Sequence, residues 1–238
     1  VIPKPDITPA SPLVRSFDYQ FIESVITHPS VIKGARWKDG LTIQPVVENL
    51  NNYLLVNEFG GFIVVNQLPT VYECHTQFLP EGRGPQVRDA VKDAFDYMFI
   101  NTDCERITTR AYKDNFASVK LSREFFTEEG ETNEYFYYSL RYENWVKTDL
   151  NLSAGQEFHE LVKETTNHGD DKTHDYHVGA AVRMAKAGNY GKAQHLFNSW
   201  ALMSGYEPLV ILKTNPLLVQ AGDLRFEIGE EVRICQQP

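Results

Sequence analysis

The chain has 238 residues and a net charge of −9, an acidic balance that argues against nonspecific nucleic-acid binding, where lysine and arginine must displace counterions from phosphates. Hydrophobic residues make up 42% of it, enough for one full core and a smaller second one, so one or two folded domains are expected. No apolar run reaches the roughly 18 residues of a membrane span and the start lacks a basic-then-apolar leader pattern, while Cys74, Cys104 and Cys235 form no Cys-x-x-Cys pair, so a soluble protein of a reducing cytoplasm is expected.

In chain order, prolines at positions 3, 5, 9 and 12 favour an extended arm over residues 1–12. From Phe17 to Ile26 the apolar residues fall at helical spacing, Ser16 or Asp18 is placed to cap them, and His28-Pro29 breaks the helix. Two β-rich runs within residues 53–67 flank Gly60-Gly61 and predict a hairpin. A strand over 72–78 then runs into the turn Leu79-Pro80-Glu81-Gly82-Arg83-Gly84 and a helix that places Val87, Ala90, Val91, Ala94, Phe95 and Met98 on one face. Cys104–Ala111 reads as another strand, followed by Asn115, an amphipathic stretch closing on Phe125-Phe126-Thr127-Glu128-Glu129-Gly130, and an aromatic-rich strand over 133–142.

Composition shifts after Trp145. Residues 147–177 read as a polar connector with one helix near 154–163. His168, His174, Asp175 and His177 within it show no established ligand spacing, so a plain loop is read and no metal is assigned. Residues 178–205 form a helical hairpin around Gly188-Asn189, with Val178, Ala181, Val182 and Ala185 on one apolar face and Ala193, Leu196, Phe197 and Trp200 on the other. Four short β-rich runs over 209–234 complete a C-terminal α+β module without catalytic residues, which suggests docking or oligomerisation.

Chemistry concentrates between Tyr72 and Gly130. A strand that enters a helix through a glycine-bearing turn leaves backbone N–H groups converging where the helix dipole favours an anion, which suits a phosphate. A lone Gly-x-Gly is more often a tight turn with no ligand.

Several motifs in one order carry a resemblance: Phe78-Leu79-Pro80, Arg83-Gly84, the helix from Val87, the strand holding Arg106-Ile107, Asn115, and Phe125 to Gly130. Over roughly residues 13–145 the chain resembles the GCN5-related N-acetyltransferases (GNAT), most of all small bacteriophage versions. The resemblance implies an α+β fold with a mixed, largely antiparallel sheet flanked by helices. It divides the chain into the arm 1–12, an acyltransferase-like domain 13–146, the connector 147–177 and the module 178–238. It also implies an acetyl-CoA-dependent N-acyltransferase acting on an unidentified amine. In that family the strand before the proline pairs with pantetheine through its backbone, so the resemblance assigns cofactor contacts to Phe78, Leu79, Gly82, Arg83, Gly84 and Asn115. Asn115 serves equally as a helix N-cap.

Glu73 and His75 lie two apart on one strand and so face the same side. Either can act as the base that deprotonates the amine, directly or through water, or both can point to packing or solvent. Around them the chain departs from the family pattern. Leu79 stands where the turn prefers Gln or Arg, Pro85 removes one N–H, Phe125 replaces a glycine, and the helix after Asn115 offers Leu121 or Ser122 where a tyrosine often protonates the departing thiolate. The second reading is therefore a bacteriophage structural or virion-associated protein that keeps a retired acetyltransferase fold, without cofactor, as a scaffold for protein contacts. The first reading places the chain in the cytoplasm of a bacterial host, the second in a virion with phage proteins as partners; a homo-oligomer is expected, without nucleic-acid or membrane partners. His28-Pro29-Ser30-Val31 with Trp37 resembles the family's acceptor-side segment, or is a packed loop plugged by Trp37.

Overall fold

Asp18 accepts a hydrogen bond from the Phe21 N–H and starts the first helix where the sequence places it. The structure is a computed structural model that describes residues 12–36, 38, 40, 42–163 and 172–204 and the strands 210–214, 217–221, 224–228 and 232–235. The arm over 1–11, Trp37 and His168 lie outside the described residues. Contacts divide the chain after Arg141 into two units.

The first unit runs β1 (Val14–Ser16), α1 (Tyr19–Ile26), α2 (Pro29–Ala35), α3 (Gln44–Glu48), β2 (Tyr53–Asn57), β3 (Gly60–Leu68), β4 (Val71–Phe78), a single 3-10 turn (Pro80–Gly82), α4 (Pro85–Asn101), β5 (Arg106–Tyr112), α5 (Phe116–Phe125), β6 (Thr127–Glu131) and β7 (Tyr135–Arg141). Seven strands form one sheet in the order β1-β2-β3-β4-β5-β7-β6, antiparallel except for the β4–β5 pair. This is the mixed, largely antiparallel α+β sheet expected from the sequence.

Cross-strand partners share a face. Ile63 and Val65 pack with Ile22, Val25 and Ile26 of α1, and their partners across the ladder are His75 and Glu73. The same face continues through Thr108 to Arg110 and Tyr112, whose partners on β7 are Tyr137 and Tyr135. The opposite face carries Phe62, Val64 and Cys74, and α4 buries all six of the residues that its periodicity aligned. Burial pushes the Cys74 thiol up to about 12, so it is a packed hydrophobe and not a thiolate nucleophile.

Local chemistry moves several boundaries. The hairpin turns at Glu58-Phe59, not at the glycine pair, because Asn57 Oδ1 accepts from the Phe59 N–H at 3.0 Å and Asn57 pairs with Gly60. His28-Pro29 breaks one helix and begins another: His28 Nδ1 accepts from Ser30 N at 3.3 Å and Pro29 occupies the first turn of α2, where its missing N–H costs nothing. Residues 127–131 form an edge strand whose every residue is exposed, and such a strand carries no apolar alternation for sequence reading to find.

The second unit holds α6 (Tyr142–Val146), α7 (Asp149–Lys163), α8 (Lys172–Lys186), α9 (Tyr190–Ser204) and a four-stranded antiparallel sheet, β8 (Val210–Thr214), β9 (Leu217–Ala221), β10 (Leu224–Ile228) and β11 (Val232–Cys235). The stretch 147–177, read as a connector, thus holds all of α7 and the start of α8, and Asp175 and His177 are helical and not on a loop. Among the described residues, no three His, Cys, Asp or Glu side chains are grouped to hold a metal ion, and no helix is long and apolar enough to cross a membrane.

Helices α7 and α8 touch through backbone. A Cβ built on Gly179 would lie 1.7 Å from the Asn151 carbonyl oxygen. Asn151 is fully buried and fixes the junction, its Nδ2 donating to the Trp145 carbonyl at 2.9 Å and its Oδ1 accepting from Arg183 at 2.7 Å. Gly179→Ala must push the helices apart and is expected to destabilise this unit by about 1–3 kcal/mol, read as a lower urea midpoint.

Candidate functional site

The parallel β4–β5 ladder pairs Val71, Tyr72 and Glu73 with Arg106, Ile107 and Thr108 and then stops, although β4 continues to Phe78 and β5 to Tyr112. Beyond that point the strands part and leave a wedge in the sheet. The Tyr72 and Cys74 carbonyls point toward β5, accepting from the Thr108 and Thr109 hydroxyls at 3.3 and 2.8 Å. By strand alternation the backbone groups of Thr76 and the Phe78 N–H turn the same way, into the wedge, with no partner from β5, while the Phe78 carbonyl accepts from Arg83. They are available to an extended ligand.

The wedge opens into a cleft of about 590 Å³ walled by α2, β4, the head of α4, β5 and α5. At its head stands Gly84, the N-cap of α4, at φ +76°, a left-handed backbone that L side chains resist. No side chain caps this helix, and among the described residues nothing lies within 4 Å of where a Gly84 Cβ would be. An uncapped helix N-terminus facing a cavity favours an anion.

Of the residues singled out from the sequence, His75, Phe78, Arg83, Gly84 and Asn115 line the cleft. Three do not. Leu79 gives its N–H to the Phe59 carbonyl at 2.9 Å and packs with the α1 core. Gly82 is buried, and a Cβ there would sit 2.4 Å from Phe59 Cβ. Glu73 lies beneath the lining, 17% exposed against 35% for His75. Arg83 spans the mouth, donating to the Phe78 carbonyl at 3.2 Å and the Ser30 carbonyl at 3.0 Å. Asn115 caps α5, its Oδ1 accepting from Ser118 N at 3.1 Å, which leaves its Nδ2 group toward Gly34.

One carboxylate oxygen organises the floor. Glu73 Oε1 lies 3.1 Å from Arg110 Nε and 3.7 Å from His75 Nε2. Burial, and then the Arg110 charge, hold the His75 imidazole below its usual pKa against the opposing pull of Glu73. It is a neutral ring at neutral pH, able to accept a proton.

Arg110, Tyr112, Tyr135 and Lys120 also line the cleft and were missed. The alternation Arg106, Thr108, Arg110, Tyr112 was a usable signal for one polar face, but the approach of Tyr135 depends on the β5–β7 register. On α5 the residues that reach the cleft include Ser118, Leu121 and Ser122, so this helix presents no phenol where the family pattern places one. The phenols that do line the cleft, Tyr112 and Tyr135, stand on strands with ring centroids 4.3 Å apart.

No family model matches the chain. Protein gp14 of Salmonella phage P22 is 32% identical over 94 residues, 38% of this chain and 59% of that protein, so the chain spans about three-fifths of the length of the curated relative it matches. Among the solved structures to which it is similar are a spermidine N-acetyltransferase from Vibrio cholerae in complex with CoA and spermine, at 16% identity and TM-score 0.48 over 57% of this chain and 96% of that one, and a GNAT-family acetyltransferase from Bacillus anthracis, at 15% identity and TM-score 0.46 over 56% and 97%.

Proposed function

We propose that the first unit is an acyl-CoA-dependent N-acyltransferase. The observation that carries this reading is the wedge between β4 and β5 leading to the bare, uncapped head of α4 at Gly84. A long ligand with a phosphate-bearing end and an extended amide-bearing arm matches both parts: N–H groups for the anion, and the backbone of Thr76 with the Phe78 N–H for the arm. Bound there, acetyl-CoA would supply the acetyl group.

The chain's own residues would do the rest. His75, neutral in the cleft, takes the proton of the incoming amine as the C–N bond forms. A thiolate leaving the acetyl group with the C–S electron pair would take its proton from solvent or from a cleft phenol, Tyr112 or Tyr135, because α5 presents none. Arg83 and the first turn of α4 hold the anionic end.

A second reading, a phage virion-associated scaffold on a retired fold, draws on the missing phenol of α5, and the likeness to gp14 accords with its phage part alone. The readings separate by melting the protein with acetyl-CoA. A ligand at 100 times its Kd adds about 2.7 kcal/mol to stability, a rise of several degrees in Tm. No shift at millimolar acetyl-CoA favours the scaffold.

A further inference from the structure

Arg83, Arg88, Arg110 and Lys120 line the cleft, and among the described residues no aspartate or glutamate does. In a chain with 32 carboxylates against 23 lysines and arginines, the lining inverts the sign of the whole. Arg83 directs Nε and Nη2 to two carbonyls at the cofactor end of the cleft, and Arg88 is paired with Glu124, which its Nε reaches at 2.8 Å to both oxygens. Arg110 engages Glu73 through Nε, and among the described residues its two Nη groups have no hydrogen-bond partner. Arg110 Nε and His75 Nε2 face the same Glu73 oxygen, at 3.1 and 3.7 Å. Tyr135 stands beside the Arg110 guanidinium, its ring centroid 5.4 Å from the guanidinium carbon, with the Tyr112 ring tilted against it at 4.3 Å.

We infer that the acceptor is an amine carrying its own carboxylate, an amino acid and not a polyamine: its amine meets His75, its carboxylate the free Nη edge of Arg110, and its side chain the Tyr112–Tyr135 wall. This rests on the acyl-transfer reading. A carboxylate adjacent to an amine spans the gap between an imidazole and a guanidinium that share one partner oxygen, and a planar guanidinium edge binds carboxylate through paired N–H groups. A polycation entering this cleft would meet Arg83 and Lys120, which have no carboxylate partner among the described residues, and no lining carboxylate, and like-charge juxtaposition disfavours it.

The test is acetyl-CoA-dependent thiol release with each of the twenty free amino acids, phenethylamine and spermidine as acceptors, with acetyl-CoA affinity measured separately by calorimetry. At least one amino acid is acetylated, phenylalanine surpasses phenethylamine if aromatic side chains are accepted, and spermidine is inert. Arg110→Gln raises the acceptor KM by about 10- to 100-fold with a smaller change in kcat, Arg110→Lys restores part of the loss, and acetyl-CoA affinity stays at the wild-type value. Turnover of spermidine or phenethylamine at least equal to that of every amino acid overturns the inference, as does an unchanged KM in Arg110→Gln. So does a protein that binds acetyl-CoA and acetylates no amino acid. Failure to bind acetyl-CoA at all removes the acyl-transfer reading itself, and the calorimetry tells the two failures apart.

Discussion

Gly84→Glu is expected to weaken acetyl-CoA binding by about 100-fold or more while the protein stays folded. Gly84 is the N-cap of α4 at φ +76°, with open space where a side chain would project. At φ +76° and ψ −129° an L-residue is strained by roughly 1–3 kcal/mol, and a carboxylate at a helix N-terminus recovers part of that through the dipole. The same negative charge occupies the spot that the phosphates need, so the substitution that suits the helix excludes the ligand. Gly84→Ala carries the backbone strain without the charge and should lose much less affinity. Equal losses in both variants would mean that the turn's shape matters and its field does not.

His75→Ala should lower kcat by about 100- to 10,000-fold, the usual contribution of a positioned base, with acetyl-CoA affinity unchanged. Its pH dependence carries more information than its size. Burial and Arg110 hold the imidazole below its usual pKa, so the base form survives below pH 6.5, and the acid limb of kcat/KM falls at a lower pH than for a free histidine. Removing the Arg110 charge takes away one of the causes that lower it, so in Arg110→Gln the limb moves to higher pH. Stability follows the same sign. The unfolded chain protonates His75 first, so the contribution of the neutral ring is present above about pH 6.5, the unfolded value, and is lost as pH falls toward the folded value. His75→Ala should flatten that part of the stability curve; an unchanged acid limb in Arg110→Gln would show that burial alone sets the imidazole.

Periodicity made the interior of the first unit legible. Val87, Ala90, Val91, Ala94, Phe95 and Met98 repeat at the helical period because one face of α4 lies on the sheet, and all six are buried. The turn before α4 was legible for a local reason, since Gly84 adopts a conformation that its residue type announces. Leu79 and Gly82 read as part of the same turn, yet their neighbours come from the β2–β3 hairpin: Phe59 takes the Leu79 N–H and packs on Gly82. That contact depends on where the hairpin turns, and the turn was set by the Asn57 side chain and not by the glycine pair. Arg110 and Tyr135 were hidden in the same way, because they meet through the pairing of β5 with β7, which no local pattern encodes. Helix α2 was hidden behind His28-Pro29, a pair that serves as a stop for one helix and as a start for the next.

Calorimetric titration of the whole protein with acetyl-CoA measures directly whether the wedge and the head of α4 form a cofactor groove. Saturable binding at micromolar concentration, lost in Gly84→Glu and kept in His75→Ala, is the predicted result. No heat of binding at millimolar acetyl-CoA, or binding that Gly84→Glu leaves intact, would contradict it.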